Sequence, residues 1–420
     1  MRIVHFSWEY PPVLYGGLGT FVSEVTLKMA AWKHDVAVFS LNRDNSFTPM
    51  DLTHGVEIYR PKTLDLTSTF YLCADHELRS WGPYFKFFAD VLSYNIMSAN
   101  QLTNGLVCKN GRTFDIIDGH DWLGIMGGII AKKQLHIPLI FHVHSTEVGR
   151  SIGRGSHTIK DIEYEGGQQA DRIITVSNAM EDELLKLGFP PEKIRVCWNG
   201  VDPDKYDPQR VTNDQREDLR RRYGIQPHET MVFFIGRLVS VKGVDKLVQA
   251  MPAIIHEFPN VKLVILGVGD LEPNLRSMAE HLGIARHVIF RTEFISEEER
   301  IQHYAAADLV VLPSLYEPFG IVCTEAMSMA KTVVVGARGT NGMREQIIPT
   351  GEEQCGFHVN PYSPEDIAWG MKQALSLPDK GKAMGEYGRR RVLKEFTWDT
   401  VTKRTLEIYQ ECLGSEHGGQ

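Results

Sequence analysis

Apolar residues occur along this chain in two rhythms that take turns. Short runs rich in Val, Ile, Leu and Phe, at 3–6, 36–39, 56–59, 114–117, 138–143, 173–176 and 194–198, read as buried strands, and the stretches between them are helical in pattern. A polar segment rich in Asp, Pro and Arg then runs from 202 to 222. The alternation restarts at 231–235, 261–266, 288–290, 309–312, 332–335 and 357–359. Strands alternating with helices predict parallel sheets covered on both faces. Two such series predict an α/β chain of two Rossmann-like domains. The stretch NGVDPDKYDPQR (199–210) has turn chemistry at nearly every position, which places the boundary near residue 203. The N-terminal domain is expected over 1–202 and the C-terminal domain over 203–394. Residues 396–413 keep helical spacing after the second series is complete, so a helix within 395–413 is expected to cross back to the first domain. The aromatic-rich region 61–105, with GPYFKFFADVLSY, reads as helical, and an acceptor-facing insertion there stays open. No internal repeat is present, and the only low-complexity stretch is the short polar tail GSEHGGQ.

Composition narrows the function more than the fold. With 45 basic and 53 acidic residues, the chain carries a formal charge of -8, which argues against a nucleic acid held by bulk electrostatics. The sequence opens as a strand with no basic leader, and no run approaches the length of a membrane span, so a cytoplasmic protein without an integral membrane segment is expected. Its six cysteines lack Cys-x-x-Cys spacing, which favours reduced thiols over disulfides or a zinc site.

Candidate chemistry gathers where strands end and helices begin, since open parallel sheets bind ligands at the carboxyl ends of their strands. EYPPVLYGGLGT (9–20) follows the first strand, and amides at Gly16 and Gly17 could meet a phosphate at a helix N-terminus. The nicotinamide-binding Gly-x-Gly-x-x-Gly pattern is absent, and a plain glycine turn is the competing reading. In FIGRLVSVKGVDKL (234–247), Arg237 and Lys242 suit a pyrophosphate and would do the work of a metal ion; a pair of solvated surface cations is the alternative. GHDW and FHVHSTE put His120 and His144 at strand ends. His142 and His144 could share a metal, but no third ligand stands at a telling spacing, so hydrogen bonding is the expected role and no metal or other cofactor is expected. The Asp-Pro-Asp triplet at 202–204 reads as a turn rather than a cation site. SLYEPFGIVCTEAM (314–327) sets Glu317 and Glu325 around a strand-to-helix turn. The two could be a glycosidase pair, a clamp for a sugar nucleotide, or structural carboxylates. As a clamp, Glu317 would hold sugar hydroxyls with the Phe319 and Gly320 amides, at the start of the helix that Ile321 opens, and Glu325 would hold a ribose.

Taken in order, these motifs resemble the retaining, nucleotide-sugar-dependent glycosyltransferases of the GT-B fold, family 4, glycogen-synthase-like group. The resemblance runs from about residue 1 to 413 and covers every motif quoted, leaving only 61–105 without one. It implies a donor sugar nucleotide, UDP- or ADP-glucose, bound mainly by the C-terminal domain. Arg237 and Lys242 would match the pyrophosphate cations, Glu317 with Phe319 and Gly320 the hexose site, and Glu325 the ribose site. Gly16 and Gly17 would match phosphate-binding amides and His120 the active-site histidine. It further implies a glucan or small sugar acceptor, with retention by front-face attack and no assigned general base. The Lys-x-Gly-Gly-Leu-x-Asp pattern of starch and glycogen synthases is replaced here by Leu14 to Thr20, which keeps acceptors of the sucrose-phosphate, trehalose or maltose-phosphate type open. A lipid acceptor, a non-catalytic sugar-nucleotide binder and a homo-oligomer also stay open.

Overall fold

The computed structural model describes residues 1–14, 16–376 and 378–415, so the end of the polar tail lies outside the described residues. By contacts, the chain gathers into two compact units. Unit 1 takes Met1–Val176, Glu181–Trp198 and the chain from Trp398 on, and unit 2 takes Ser177–Met180 and Asn199–Thr397. Nearly all of unit 2 is therefore inserted in the chain of unit 1.

Unit 1 is built on β1 (Arg2–Phe6), β2 (Asp35–Phe39), β3 (Met50–Thr53), β4 (Val56–Tyr59), β5 (Ile116–His120), β6 (Leu139–Val143), β7 (Arg172–Thr175) and β8 (Ile194–Val196). They form one sheet in the order β3-β4-β2-β1-β5-β6-β7-β8. Every pairing is parallel except that of β3 with β4. Unit 2 holds β9 (Thr230–Ile235), β10 (Val261–Leu266), β11 (Val288–Arg291), β12 (Leu309–Leu312), β13 (Val333–Gly336) and β14 (Gly356–Val359), all parallel, in the order β11-β10-β9-β12-β13-β14. Both sheets reverse their winding once, between β1 and β5 and between β9 and β12. At such a switch point two connections leave in opposite directions and open a crevice beyond the strand ends.

The two-sheet α/β architecture is as expected. The edge strand β3 was not foreseen, because Met-Asp-Leu-Thr lacks a buried run and its residues are largely exposed. The strand expected at 114–117 lies instead at Ile116–His120, where pairing on both sides carries Gly119 and His120 into the sheet despite their weak strand preference. Region 61–105 is helical, with helices Thr67–Tyr71, His76–Ser80 and Tyr84–Asn100 leading into a π-helical stretch, Gln101–Lys109. Phe85, Phe88, Val91 and Tyr94 pack with Trp8 and Trp122 in the core of unit 1, while Tyr84 is 75% exposed. In unit 2 the core forms from Val232, Leu263, Val311 and Val334 against Met251, Ile254 and Ile367. Burial of each large apolar side chain contributes roughly 1.5–3 kcal/mol. The helix Trp398–Ser415 packs within unit 1, and among the described residues no helix is long and apolar enough to cross a membrane.

Candidate functional site

In unit 2 the switch point lies between β9 and β12, and the segments leaving those two strands carry the charged candidates. After β9, Ser240–Lys242 forms one 3-10 turn and Gly243, at φ 64°, starts the helix Val244–Glu257. A Cβ at Gly243 would stand 2.1 Å from the carbonyl oxygen of Pro313, so only glycine lets this turn lie against the end of β12. That approach puts the Lys242 ammonium on Glu317 Oε2 in an ion pair. Ser314 Oγ donates to the same oxygen at 3.2 Å. The backbone of Glu317 is fixed as well, its N–H donating to Thr340 and its carbonyl accepting from Gly342. Arg237 is exposed, and among the described residues it forms no ion pair. Its neighbour Gly236 lies beside the stem of Lys242, since a Cβ there would be 3.9 Å from Lys242 Cγ.

The turn beyond Glu317 is shaped by Gly320, whose φ of 93° begins the helix Ile321–Ser328. Phe319 is buried and its carbonyl accepts from Gln346 Nε2 at 2.7 Å. Glu325 is 4% exposed. The hydroxyl of Tyr304 donates to its Oε2 at 2.7 Å and Arg300 faces its Oε1 at 3.5 Å. Glu317 and Glu325 thus differ in surroundings: one pairs with a lysine at the sheet edge, the other is engaged by helix Glu297–Ala306 from within.

In unit 1 the register of three strands assembles a second group. His5 of β1 stands opposite Asp118 of β5, and His120 of β5 stands opposite His142 of β6. Because side chains alternate along a strand, Asp118 and His120 share one face, as do His142 and His144. His120 Nδ1 lies 3.1 Å from His144 Nε2, and His120 Nε2 lies 3.1 Å from His5 Nδ1. His142 Nδ1 is 3.4 Å from Asp118 Oδ2, which also accepts from the hydroxyl of Tyr409 on the final helix. Phe21, from helix Gly17–Ala31, packs edge-on to His142 at 4.4 Å and His144 at 5.1 Å. All these residues are buried. Burial holds the imidazoles neutral: it lowers His5, takes His120 and His144 well below the ordinary range, and brings His142 to about 3.

Asp121 opens the next helix with φ 50°, a strained value for a residue with a side chain. Its Oδ1 accepts from the backbone N–H of His144 at 2.7 Å and of Ser145 at 3.3 Å, tying the end of β6 to the end of β5. Burial pushes its carboxyl up to about 6. Gly16 and Gly17 are exposed, and the Gly16 amide donates to Glu9 Oε2 at 3.2 Å. At Asp202, Oδ1 accepts from the amides of Asp204 and Lys205, as a turn requires.

The same histidines bear on metal ligation. Ring nitrogens of His120, His142 and His144 lie within 4.8 Å of one another, as do the ligand atoms of His5, Asp118 and His120. A shared ion needs lone pairs that converge about 2 Å from each nitrogen. The rings of His142 and His144 are 4° from parallel with centres 4.6 Å apart, so their in-plane lone pairs run side by side.

The structure therefore brings Lys242 to Glu317, and His120 to His144, while Arg237 stays exposed and Glu325 is engaged by Tyr304 and Arg300. Sequence reasoning missed His5, Asp118, Asp121 and Tyr409. The signal for Asp118 and Asp121 lay within DGHDW itself; that for His5 was a polar residue inside an otherwise apolar strand.

Comparison with known proteins bears on what these edges do. Residues 15–205 match the sequence model of Glycosyltransferase Family 4, and residues 215–391 that of Glycosyl transferases group 1. An uncharacterised glycosyltransferase of Methanocaldococcus jannaschii is 31% identical over 417 residues, 98% of this chain and 99% of that protein. A glycogen synthase of Mycobacterium tuberculosis is 29% identical over 434 residues, 100% of this chain and 97% of the synthase. Among solved structures, a sucrose-phosphate synthase of Thermosynechococcus elongatus superposes over 99% of both chains with a TM-score of 0.80 at 22% identity.

Proposed function

The chain belongs to the family-4, group 1 glycosyltransferases and has their GT-B fold, and on that premise we propose that it is a retaining hexosyltransferase. It moves a hexose, glucose in the first instance, from UDP- or ADP-glucose to a glucan or small sugar acceptor. The observation that carries this reading is the ion pair of Lys242 with Glu317 at the switch point of unit 2, with Arg237 exposed in the same connection after β9.

As the bond from sugar to diphosphate breaks, negative charge grows on the leaving phosphate. Cations already in place stabilise that charge most. Lys242 exchanges its carboxylate partner for the phosphate, and Arg237 adds a planar fork that suits two phosphate oxygens. Glu317, freed of the ammonium and still held by Ser314, accepts from hexose hydroxyls beside the amides of Phe319, Gly320 and Ile321. Glu325, positioned by Tyr304 and Arg300, takes the ribose. In unit 1, Gly16 and Gly17 serve as further phosphate-binding amides, and His144 as a hydrogen-bonding group for the sugar with His120 bonded behind it. The leaving oxygen takes the acceptor's proton, so no side chain is assigned as a base.

The reading is tested by a donor-by-acceptor matrix. UDP-, ADP- and GDP-sugars are combined with glucan, glucose, sugar phosphates and glycerate, following nucleotide release and the configuration of the product by NMR. A retained α-linkage from UDP- or ADP-glucose is expected. Inverted product, or sugar-nucleotide binding without transfer to any acceptor, would overturn it. A phosphorylated small acceptor is the second reading, favoured by the replacement of the glucan-synthase lysine and aspartate in the segment from Leu14 to Thr20.

A further inference from the structure

His120 cannot reach a substrate through either ring nitrogen as it stands, because both face other imidazoles at 3.1 Å. The centres of His5 and His120 are 5.4 Å apart, and so are those of His120 and His144, with ring planes tilted by 16° and 27°. That separation, with that nitrogen-to-nitrogen distance, is what rings joined nose to nose by N–H···N bonds give. Two ligands bent around one ion would bring the centres closer. We propose that His5 and His120 are positioning residues for His144: the three imidazoles form one hydrogen-bonded chain that sets whether His144 shows a bare Nδ1 or an N–H to a sugar hydroxyl. This rests on the reading of His144 as a sugar-binding residue.

A neutral imidazole carries one N–H, so the chain has two arrangements only. In one, His144 Nε2 donates to His120 Nδ1 and His120 Nε2 donates to His5 Nδ1, leaving His144 Nδ1 a bare acceptor and His5 Nε2 protonated. In the other, His5 Nδ1 donates to His120 Nε2 and His120 Nδ1 donates to His144 Nε2, so His144 Nδ1 carries the hydrogen. Changing the tautomer of one ring changes all three. The two nitrogens at the ends of the chain, His5 Nε2 and His144 Nδ1, are buried and have no hydrogen-bond partner among the described residues. His144 stands just past the end of β6, with its backbone N–H held by Asp121, so its unpartnered end is the one at the sheet edge. Asp118 stands beside the other end, 3.9 Å from His5 Nδ1 and 3.8 Å from His120 Nε2, and among the described residues no lysine or arginine pairs with it. Burial keeps the three rings neutral, as the two arrangements require.

The test is made on the full chain with 15N-labelled histidine. In His5→Phe, the ring-nitrogen resonances of His144, two rings away, are expected to move. The kcat is expected to fall roughly tenfold to a hundredfold at unchanged donor KM. His5→Gln, whose amide can donate or accept, is expected to restore most of the turnover. Unmoved His144 resonances in folded His5→Phe, or a His5→Gln as impaired as His5→Phe, would overturn the proposal. So would stoichiometric zinc in the purified protein that is lost in His142→Asn. Should His5→Phe not fold, nitrogen-to-nitrogen coupling across the His120–His144 contact in the unsubstituted protein decides: a coupling supports the chain, its absence overturns it. Failure of every donor and acceptor to react would sink the transferase reading instead, and leaves the NMR result standing.

Discussion

The two switch points use the same sheet architecture to present opposite chemistry. At the end of β9 and β12, unit 2 sets an ammonium against a carboxylate, with a guanidinium exposed nearby. At the end of β1, β5 and β6, unit 1 buries four imidazoles that desolvation keeps uncharged, around one carboxylate. A charged pair at a partly open edge can be re-partnered when a polyanion arrives, because the cation keeps a counter-charge throughout. A neutral, buried chain of rings cannot meet a polyanion, but it can direct hydrogen bonds at hydroxyls. The contrast follows from what neighbours each strand end: Gly243 admits a close backbone turn in unit 2, while Phe21 and the final helix cover the histidines in unit 1.

The largest expected effect falls on the charged edge. Lys242→Ala and Arg237→Ala should each lower turnover by about a hundredfold to a thousandfold, since on the proposed reading each removes a preorganised group facing developing charge. Steady-state nucleotide release measures this. Full activity in Lys242→Ala, or restoration by manganese, would erase the distinction between the two edges. Next comes acid stability. His142 has its folded value lowered to about 3 against an ordinary 6.5, so its contribution is intact above pH 6.5 and is lost as pH falls toward 3. Denaturant melts at pH 7 and 4.5 should differ by about 2–3 kcal/mol from this group alone, with hydrogen exchange rising first in β1, β5 and β6. Earlier exchange in β9 and β12 would contradict the assignment to unit 1.

A smaller loss, about 2 kcal/mol, is expected for Tyr409→Phe, which withdraws a hydroxyl from the buried Asp118 carboxylate. Equilibrium unfolding of that variant measures it, and an unchanged midpoint would show that the carboxylate finds another donor. The smallest effect has the opposite pH sign. Burial pushes Glu163 up to about 7 despite the nearby Arg150. A carboxyl whose folded value is raised holds its proton in the native state, so it favours folding at low pH and costs stability as pH rises from about 4.5 to about 7. Glu163→Gln removes that dependence. Its stability relative to the unsubstituted protein should improve by about 1 kcal/mol between pH 5 and 6.

How far the residues announced this arrangement depends on whether the signal is local. The apolar runs of β9, β10 and β12 are continuous because both faces of those strands are covered, and they read directly. The turn from Ser314 to Gly320 reads as well, since glycine, proline and a helix start stand side by side. The pairing of Lys242 with Glu317 did not, because two connections 75 positions apart meet only when β12 is laid beside β9. Asp118 and Tyr409 are 291 positions apart, and no periodicity joins them. His5 was hidden by its own strand, where alternation makes a single polar residue look like an ordinary core position. The shifted span of β5 mattered most: with the strand ended at 117 and His120 set just beyond it, the register that sets His5 opposite Asp118 could not be drawn.

The insertion of unit 2 between the two parts of unit 1 orders events during synthesis. The ribosome delivers the whole of Asn199–Thr397 before it delivers Tyr409, so the six-stranded sheet can close while Asp118 still lacks the phenol that will bind it. The nascent first lobe must wait through almost the entire second one for its last element.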